Sequence, residues 1–472
     1  MTKLEWPKLM AVAVALAAVS PVCGGEFDAE RIHNWHQWRG PNADGISPHG
    51  DPPIEWSETT NVRWKVACPG KGSATPIVWN DRIYVLTAVP AVPAGADAAR
   101  RQAAQPERSA ESGAQRPPRG RPGRGGGAGG GGGRGAAPSG PQQFTVVCFD
   151  RGTGRIVWQR VCAEEVPHEG HHQTNTFASG SAITDGRHVF ASFGSRGIYC
   201  LDMDGRIQWK RDLGDMRTRN GFGEGSTPAL DGDNLVVTWD HEGQSFITVL
   251  DAGTGQPRWK ADRDELTTWA TPLIVEHNGR QQVVTNGTNR VRSYDLETGE
   301  LIWECGGQAS NPIASPVTLD GIVYCTTGHR GNAVFALPLA ASGDITGTGT
   351  VAWHRNDTGS YIASPVVYRG LLYVTKGRDA TLYCLDARSG EPLAGPERLP
   401  GLSTLYASPV AAADRIYYVD RSGTTVVLRH GPELDVLATN SLDEGIDASP
   451  VVVGRQMFLR GEQHLYCLEN GE

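Results

Sequence analysis

Ile313-Ala-Ser-Pro-Val-Thr-Leu-Asp-Gly-Ile-Val-Tyr-Cys-Thr-Thr327 reads as two short β-strands around a turn. Apolar and β-branched residues flank Asp320-Gly321, the kind of pair that closes a hairpin. A small residue, usually followed by proline, opens this unit, and the same opening recurs through the chain. The pairs are Thr75-Pro76, Ser181-Ala182, Thr227-Pro228, Thr271-Pro272, Ser315-Pro316, Ser364-Pro365, Ser408-Pro409 and Ser449-Pro450. From Ala182 onward the steps are 46, 44, 44, 49, 44 and 41 residues. A fixed period of this size marks a repeat architecture.

A second element follows most copies: an acid, a glycine-containing turn, then tryptophan. It appears as Asp150…Gly154…Trp158, Asp202…Gly205…Trp209, Asp251…Gly255…Trp259 and Asp295…Gly299…Trp303. Glycine takes the positive-φ position of the turn, and aspartate accepts from the turn's free N–H groups. The tryptophan then sits on a fourth strand, where its ring can seal one unit against the next. Trp64, Trp158, Trp209, Trp259, Trp303 and Trp353 are the expected docking residues. Copies six and seven degrade, since Asp386…Gly390 has no following tryptophan and Leu428-Arg-His-Gly431 lacks both marks.

Eight four-stranded units of about 45 residues predict an all-β, eight-bladed β-propeller of antiparallel blades over residues 61–472. The last copy stops at Leu465-Tyr-Cys-Leu-Glu-Asn-Gly471, where its fourth strand is due, and Asn61-Val-Arg-Trp64-Lys-Val66 supplies an orphan strand with tryptophan in place. The N-terminal strand is therefore expected to close the ring and leave no open edge.

The chain has 472 residues, and its N-terminal part lies outside the repeats. Residues 1–25 look like a signal peptide: Lys3 and Lys8 precede the short apolar stretch Leu9–Val19. Cys23 would be the acylated residue of a lipoprotein, although Ser20-Pro21-Val22 is a poor match to the small-residue box before it. No run of 18 apolar residues is present, so no transmembrane span is expected. Residues 26–60 form an N-terminal extension. Residues 89–143 hold 14 Gly, eight Arg, three acids and no aromatic residue. That composition cannot bury a core, so a disordered loop is expected inside the second-to-third-strand hairpin of blade one. A net charge of −8 argues against DNA as a partner.

Beyond the repeats, Trp35-His-Gln-Trp-Arg-Gly-Pro-Asn42, His168-Glu-Gly-His-His-Gln-Thr-Asn-Thr176 and Trp239-Asp-His-Glu-Gly243 are similar to a bacterial exported subgroup of the PQQ-like (pyrroloquinoline-quinone-like) β-propeller repeat proteins. That family includes quinoprotein dehydrogenases and the BamB outer-membrane assembly lipoprotein. The resemblance implies a periplasmic or extracellular protein. For the dehydrogenases it also implies a quinone over the axis, a metal beside it, and a vicinal Cys-Cys ring. This chain has no adjacent cysteines and no Cys-x-x-Cys-His. No cofactor is therefore expected, with pyrroloquinoline quinone plus calcium as the alternative. Cys148, Cys200, Cys384 and Cys467 are one repeated site in four blades and are expected as free, buried thiols; Cys68, Cys162 and Cys305 are the candidates for pairing.

The connections between blades, and the loops between second and third strands, should emerge on one face. His168, His171, His172 and Asn175 belong to such a connection; Asp240, His241 and Glu242 to such a loop. Three histidines with carboxylates could offer ligands to zinc, but the spacing matches no standard site. Trp269, Asn289, Arg290, Asn311, His329, Arg330, Tyr361, Lys376, Tyr406 and Asp420, near the strand ends of successive blades, complete the candidate face. The expectation is a monomeric, exported, non-enzymatic scaffold whose axial face binds a protein, a glycan or a small polar ligand. A quinone-dependent dehydrogenase is the alternative.

Overall fold

The structure is a computed structural model that describes residues 24–91, 138 and 140–471. The expected signal peptide, apart from the first turn of a helix at Gly24–Arg31, lies outside those residues, as do Cys23 and most of the expected loop.

Among the described residues the strands form eight sheets in chain order, each built on a four-stranded antiparallel blade, two of them with a short extra strand added in parallel. Blade one runs from Ile77 to Glu165, and the following blades open at Ile183, Ala229, Leu273, Val317, Val366, Val410 and Val451. The N-terminal strand Val62–Ala67 pairs antiparallel with His464–Leu468, so the eighth blade is completed by the opposite end of the chain. In blade one, Arg82–Pro90 pairs with Gln142–Asp150 in unbroken register out to Pro90↔Gln142. The strands therefore reach two residues further on each side than the expected 89–143 insert, which is corrected to begin after Pro90 and end before Gln142. Ladder hydrogen bonding carried these polar and proline ends into the sheet.

The repeated Ser/Thr has a role that repetition alone did not show. The backbone N–H of Thr75 donates to Ser181 Oγ, that of Ser181 to Thr227 Oγ1, that of Thr227 to Thr271 Oγ1, and so on through Ser315, Ser364, Ser408 and Ser449. Ser449 N–H donates back to Thr75 Oγ1 at 3.0 Å, closing a ring of eight bonds around the axis. A hydroxyl small enough to stand at the crowded centre, and able to accept from the next blade, satisfies a buried N–H that no strand can reach.

The outer seal follows the expected logic. Trp64, Trp158, Trp209, Trp259 and Trp353 each donate Nε1–H to a carbonyl of the next blade's turn at 2.8–3.0 Å. At Gly255 (φ 67°) a Cβ would stand 2.6 Å from the Trp209 ring, so positive φ and the ring both demand glycine. Trp303 departs from the pattern. The next blade replaces the glycine turn with a longer excursion, and Gly343-Asp344 pairs parallel to Trp303-Glu304. The ring is fully buried beneath that excursion, among Leu337, Leu339, Ala341 and Ile345.

Residues 34–56 form a strap across one mouth of the ring. Trp35 exchanges both backbone hydrogen bonds with Val78 of blade one, and His36 O accepts from Thr184 N of blade two. Gln37, Trp38 and Ala43 face Pro228, Thr271 and Ser315 of blades three to five. Arg39 donates to the carbonyls of Pro365 and Pro409 in blades six and seven, and Ser47 Oγ to Val452 O in blade eight. One short segment touches all eight blades and closes the axis from below. The eight described cysteines are free, and burial pushes Cys148, Cys200 and Cys467 up to about 12 and Cys384 up to about 11.

Candidate functional site: an axial funnel

Opposite the strap, the connections between blades leave a funnel of about 640 Å³ on the axis. Trp38 of the strap and the hydroxyl ring make its floor. Phe222, Trp269, His329, Tyr361 and Tyr406 stand in its wall, with His172, Asn175, Arg378, Asp379 and Asp447 between them. Such a cavity falls within the roughly 300–1,000 Å³ of small-molecule sites.

Local structure fixes these groups. Trp269 donates Nε1–H to Gly223 O at 2.7 Å and its backbone N–H to Pro312 O, which fixes the indole in the wall. The rings of His329 and Tyr361 lie 4.9 Å apart at 30°. Tyr406 donates to Thr174 Oγ1 at 3.3 Å, while the Arg421 guanidinium lies 4.3 Å from its ring centre. Asn175 donates to Phe222 O and accepts from Thr176 N, so it knits two connections together. Desolvation, reinforced by the guanidiniums of Arg378 and Arg421, pushes His172 below the usual imidazole range. Desolvation with Arg330, Arg219 and Arg378 does the same to His329.

Of the residues singled out in sequence, the structure brings six to this funnel: His172, Asn175, Trp269, His329, Tyr361 and Tyr406. The others stand elsewhere. Asp240 is buried in a bidentate pair with Arg263 at 2.8 and 3.0 Å. His241 Nδ1 accepts from Arg217 N, and Glu242 from Thr267 N and Oγ1. Asp420 accepts from Ser403 and Ser422 and so fixes a loop. Asn289 binds the Asp264 carbonyl, Arg290 pairs with Asp344 and Glu304, and Asn311 accepts from Arg219 at 3.0 Å. Arg330 and Lys376 are exposed and off the funnel wall.

The histidine cluster divides three ways. His172 lines the funnel, His171 packs edge-on against Phe177, and His168 turns to Glu169 and Glu224. Ligand atoms of that last trio lie within 4.8 Å of one another. Each carboxylate already accepts from the protein: Glu169 from Thr218 N and Oγ1, and Glu224 from Ser195 N and Oγ. His168 Nε2 faces Met216 O at 2.6 Å, which places its proton there, and Nδ1 faces Arg196 at 3.3 Å. A cation would have to displace a guanidinium, so the trio is a hydrogen-bonded joint between connections and does not fit zinc.

The funnel does not fit a calcium–quinone pair either. Calcium takes about six to eight oxygen ligands, carboxylates foremost. The wall carboxylates are Asp379 and Asp447, and Arg421 already holds Asp447 through two contacts of 2.7 and 3.0 Å.

Sequence reasoning missed Trp38, Phe222 and Arg378. Trp38 sits in the Trp35–Asn42 motif, whose aromatic and Gly-Pro content was the available signal. Arg378 follows Gly377, whose φ of 62° turns the chain out of strand alternation.

Comparison with known proteins agrees with this architecture. A curated relative, tetrathionate hydrolase from Acidithiobacillus ferrooxidans, is 25% identical over 218 residues, covering 42% of this chain and 41% of that protein. Thus the match spans less than half of the relative's length. Quinohemoprotein alcohol dehydrogenase from Comamonas testosteroni superposes with a TM-score of 0.60 at 10% identity, covering 96% of this chain and 83% of that one. The Pseudomonas putida HK5 enzyme ADHIIG gives 0.58 at 10% identity, covering 94% and 81%. At these identities the likeness concerns the fold. The family model described as outer membrane protein assembly factor BamB matches residues 142–393, more than half of the sequence, and the chain belongs to that family.

Proposed function

We propose that this protein is an exported, non-enzymatic scaffold that holds a small polar ligand in its axial funnel. The observation that carries this reading is a funnel sealed below by the strap and walled by aromatic rings, of a size for a small molecule rather than a polypeptide. A protein or glycan docking on the surrounding loops is the broader form of the same reading, and membership of the assembly-factor family supports it. The enzyme readings find less support. The carboxylates at the funnel are too few for a calcium-held quinone, and the His168 trio is committed to hydrogen bonds.

The test is to incubate the protein with a mixture of low-mass polar metabolites, isolate it by gel filtration, and identify what it retains by mass spectrometry. Ile313→Trp, which enlarges a wall side chain, is the control. Retention by the wild type and loss in Ile313→Trp is expected. Equal retention by both, or tight binding of pyrroloquinoline quinone with calcium together with dye reduction by alcohols, overturns the proposal.

A further inference from the structure

We infer that the funnel's ligand is an anion, a small oxyanion-bearing molecule that takes O–H donors from the hydroxyl ring and a guanidinium, Arg378, at the rim. This rests on the funnel being the ligand site. Each ring hydroxyl already accepts one backbone N–H, and among the described residues none of the eight donates its own hydrogen to the protein. Thr75, Ser181, Thr227, Thr271, Ser408 and Ser449 line the cavity. A hydroxyl carries one donor, so six O–H groups converge on the floor without a protein acceptor. What completes them is a ligand rich in acceptors.

The charges agree. Arg378 has no ion-pair partner among the described residues, and Arg219 gives one N–H to Asn311 and pairs with no carboxylate. Arg421 spends its charge on Asp447, which leaves Asp379 as the wall carboxylate outside an ion pair. The Arg378 guanidinium thus stands in the wall, with Arg219 close enough to act on His329 and Tyr361, in a chain whose net charge is −8. Low-dielectric walls focus such a field on the opening. A neutral sugar would need acceptors for its own hydroxyls, and a cation would meet the guanidiniums. The rings of Trp38, Trp269, Tyr361 and Tyr406 suit an apolar body behind the charged group.

A matched pair tests this: benzenesulfonate and benzenesulfonamide share shape and differ in charge. Calorimetry on the full chain should show the sulfonate binding at least about tenfold more tightly than the amide. Arg378→Gln should remove most of that difference while leaving the melting temperature unchanged, and added salt should weaken the sulfonate alone. Equal affinity for both compounds overturns the anion and leaves the funnel reading standing. Binding unaffected by Arg378→Gln overturns the assigned recognition. Failure of the sulfonate to bind, when the metabolite experiment still retains a ligand, also overturns the anion and spares the funnel.

Discussion

The two mouths of this ring are built from the same eight blades and have opposite chemistry. The strap face is filled: Trp35, His36 and Arg39 are buried, and the strap's backbone is bonded to blades one, two, seven and eight. The funnel face is open, and its polar groups are donors with few acceptors. On the filled side, a side chain's partners are carbonyls of other blades. On the open side, Arg378 has none among the described residues. Hydroxyl and tryptophan bonds join blade to blade directly, and the strap adds a second set of bonds at one mouth while the other stays open.

Breaking the plug should have the largest effect on stability. Arg39→Ala leaves the carbonyls of Asp44, Pro365 and Pro409 without their donor, and buried acceptors cost roughly 1–3 kcal/mol each. A loss of about 4 kcal/mol in chemical denaturation is expected. A change below about 1 kcal/mol would show that the strap merely rests on the ring.

Acid should act on the same side. Burial, with Arg31 adding to it, pushes His36 from 6.5 down to about 3, and its Nδ1 has no partner among the described residues. The imidazole is neutral in the folded state, so its contribution is present above pH 6.5 and is lost as pH falls toward the folded value. Each pH unit below 6.5 costs about 1.4 kcal/mol, or about 3 kcal/mol near pH 4.5. Asp44, which burial raises to about 6, works in the opposite sense: its stabilising contribution is present below 3.8 and is lost as pH rises through about 6. Comparing melting curves of the wild type and His36→Phe between neutral pH and pH 4.5 isolates the histidine. A slope unchanged by the substitution would contradict the assignment.

How much of this was legible in sequence depended on range and repetition. Ser315-Pro316 and its seven counterparts announced the blades because they solve the same local problem eight times, and the Gly–Trp turns repeat in about half of the blades. The pairing of Val62–Ala67 with the last blade was legible because that blade lacked a strand. The strap was not. It joins Arg39 to Pro409 and Ser47 to Val452 across hundreds of residues, with no period to betray it. At the funnel, Trp269, Tyr361 and Tyr406, picked out near strand ends, stand in the wall, since rings that leave a sheet edge on this face reach the axis. The charged ones do not, because Asp240, Glu242 and Asp420 spend their carboxylates holding loops. His168, His171 and His172 are neighbours in sequence, yet they face three directions because the connection carrying them is no strand.

The smallest effect is expected where sequence composition predicted no core. Replacing residues 92–139 by a short turn should leave the melting temperature within the scatter of the wild type. The ladder from Arg82↔Asp150 to Pro90↔Gln142 sets the register without them. Failure of that shortened chain to fold would refute the hairpin placement.

The contrast between the mouths is tested most directly by hydrogen–deuterium exchange with and without saturating benzenesulfonate. Slower exchange is expected at 172–175, 222–227, 328–329 and 377–379, around the funnel, with residues 45–51 of the strap and the outer strand Ile156–Glu165 unchanged. Protection confined to the outer strands or to 45–51, or no protection anywhere at saturation, would contradict a ligand site in the open mouth.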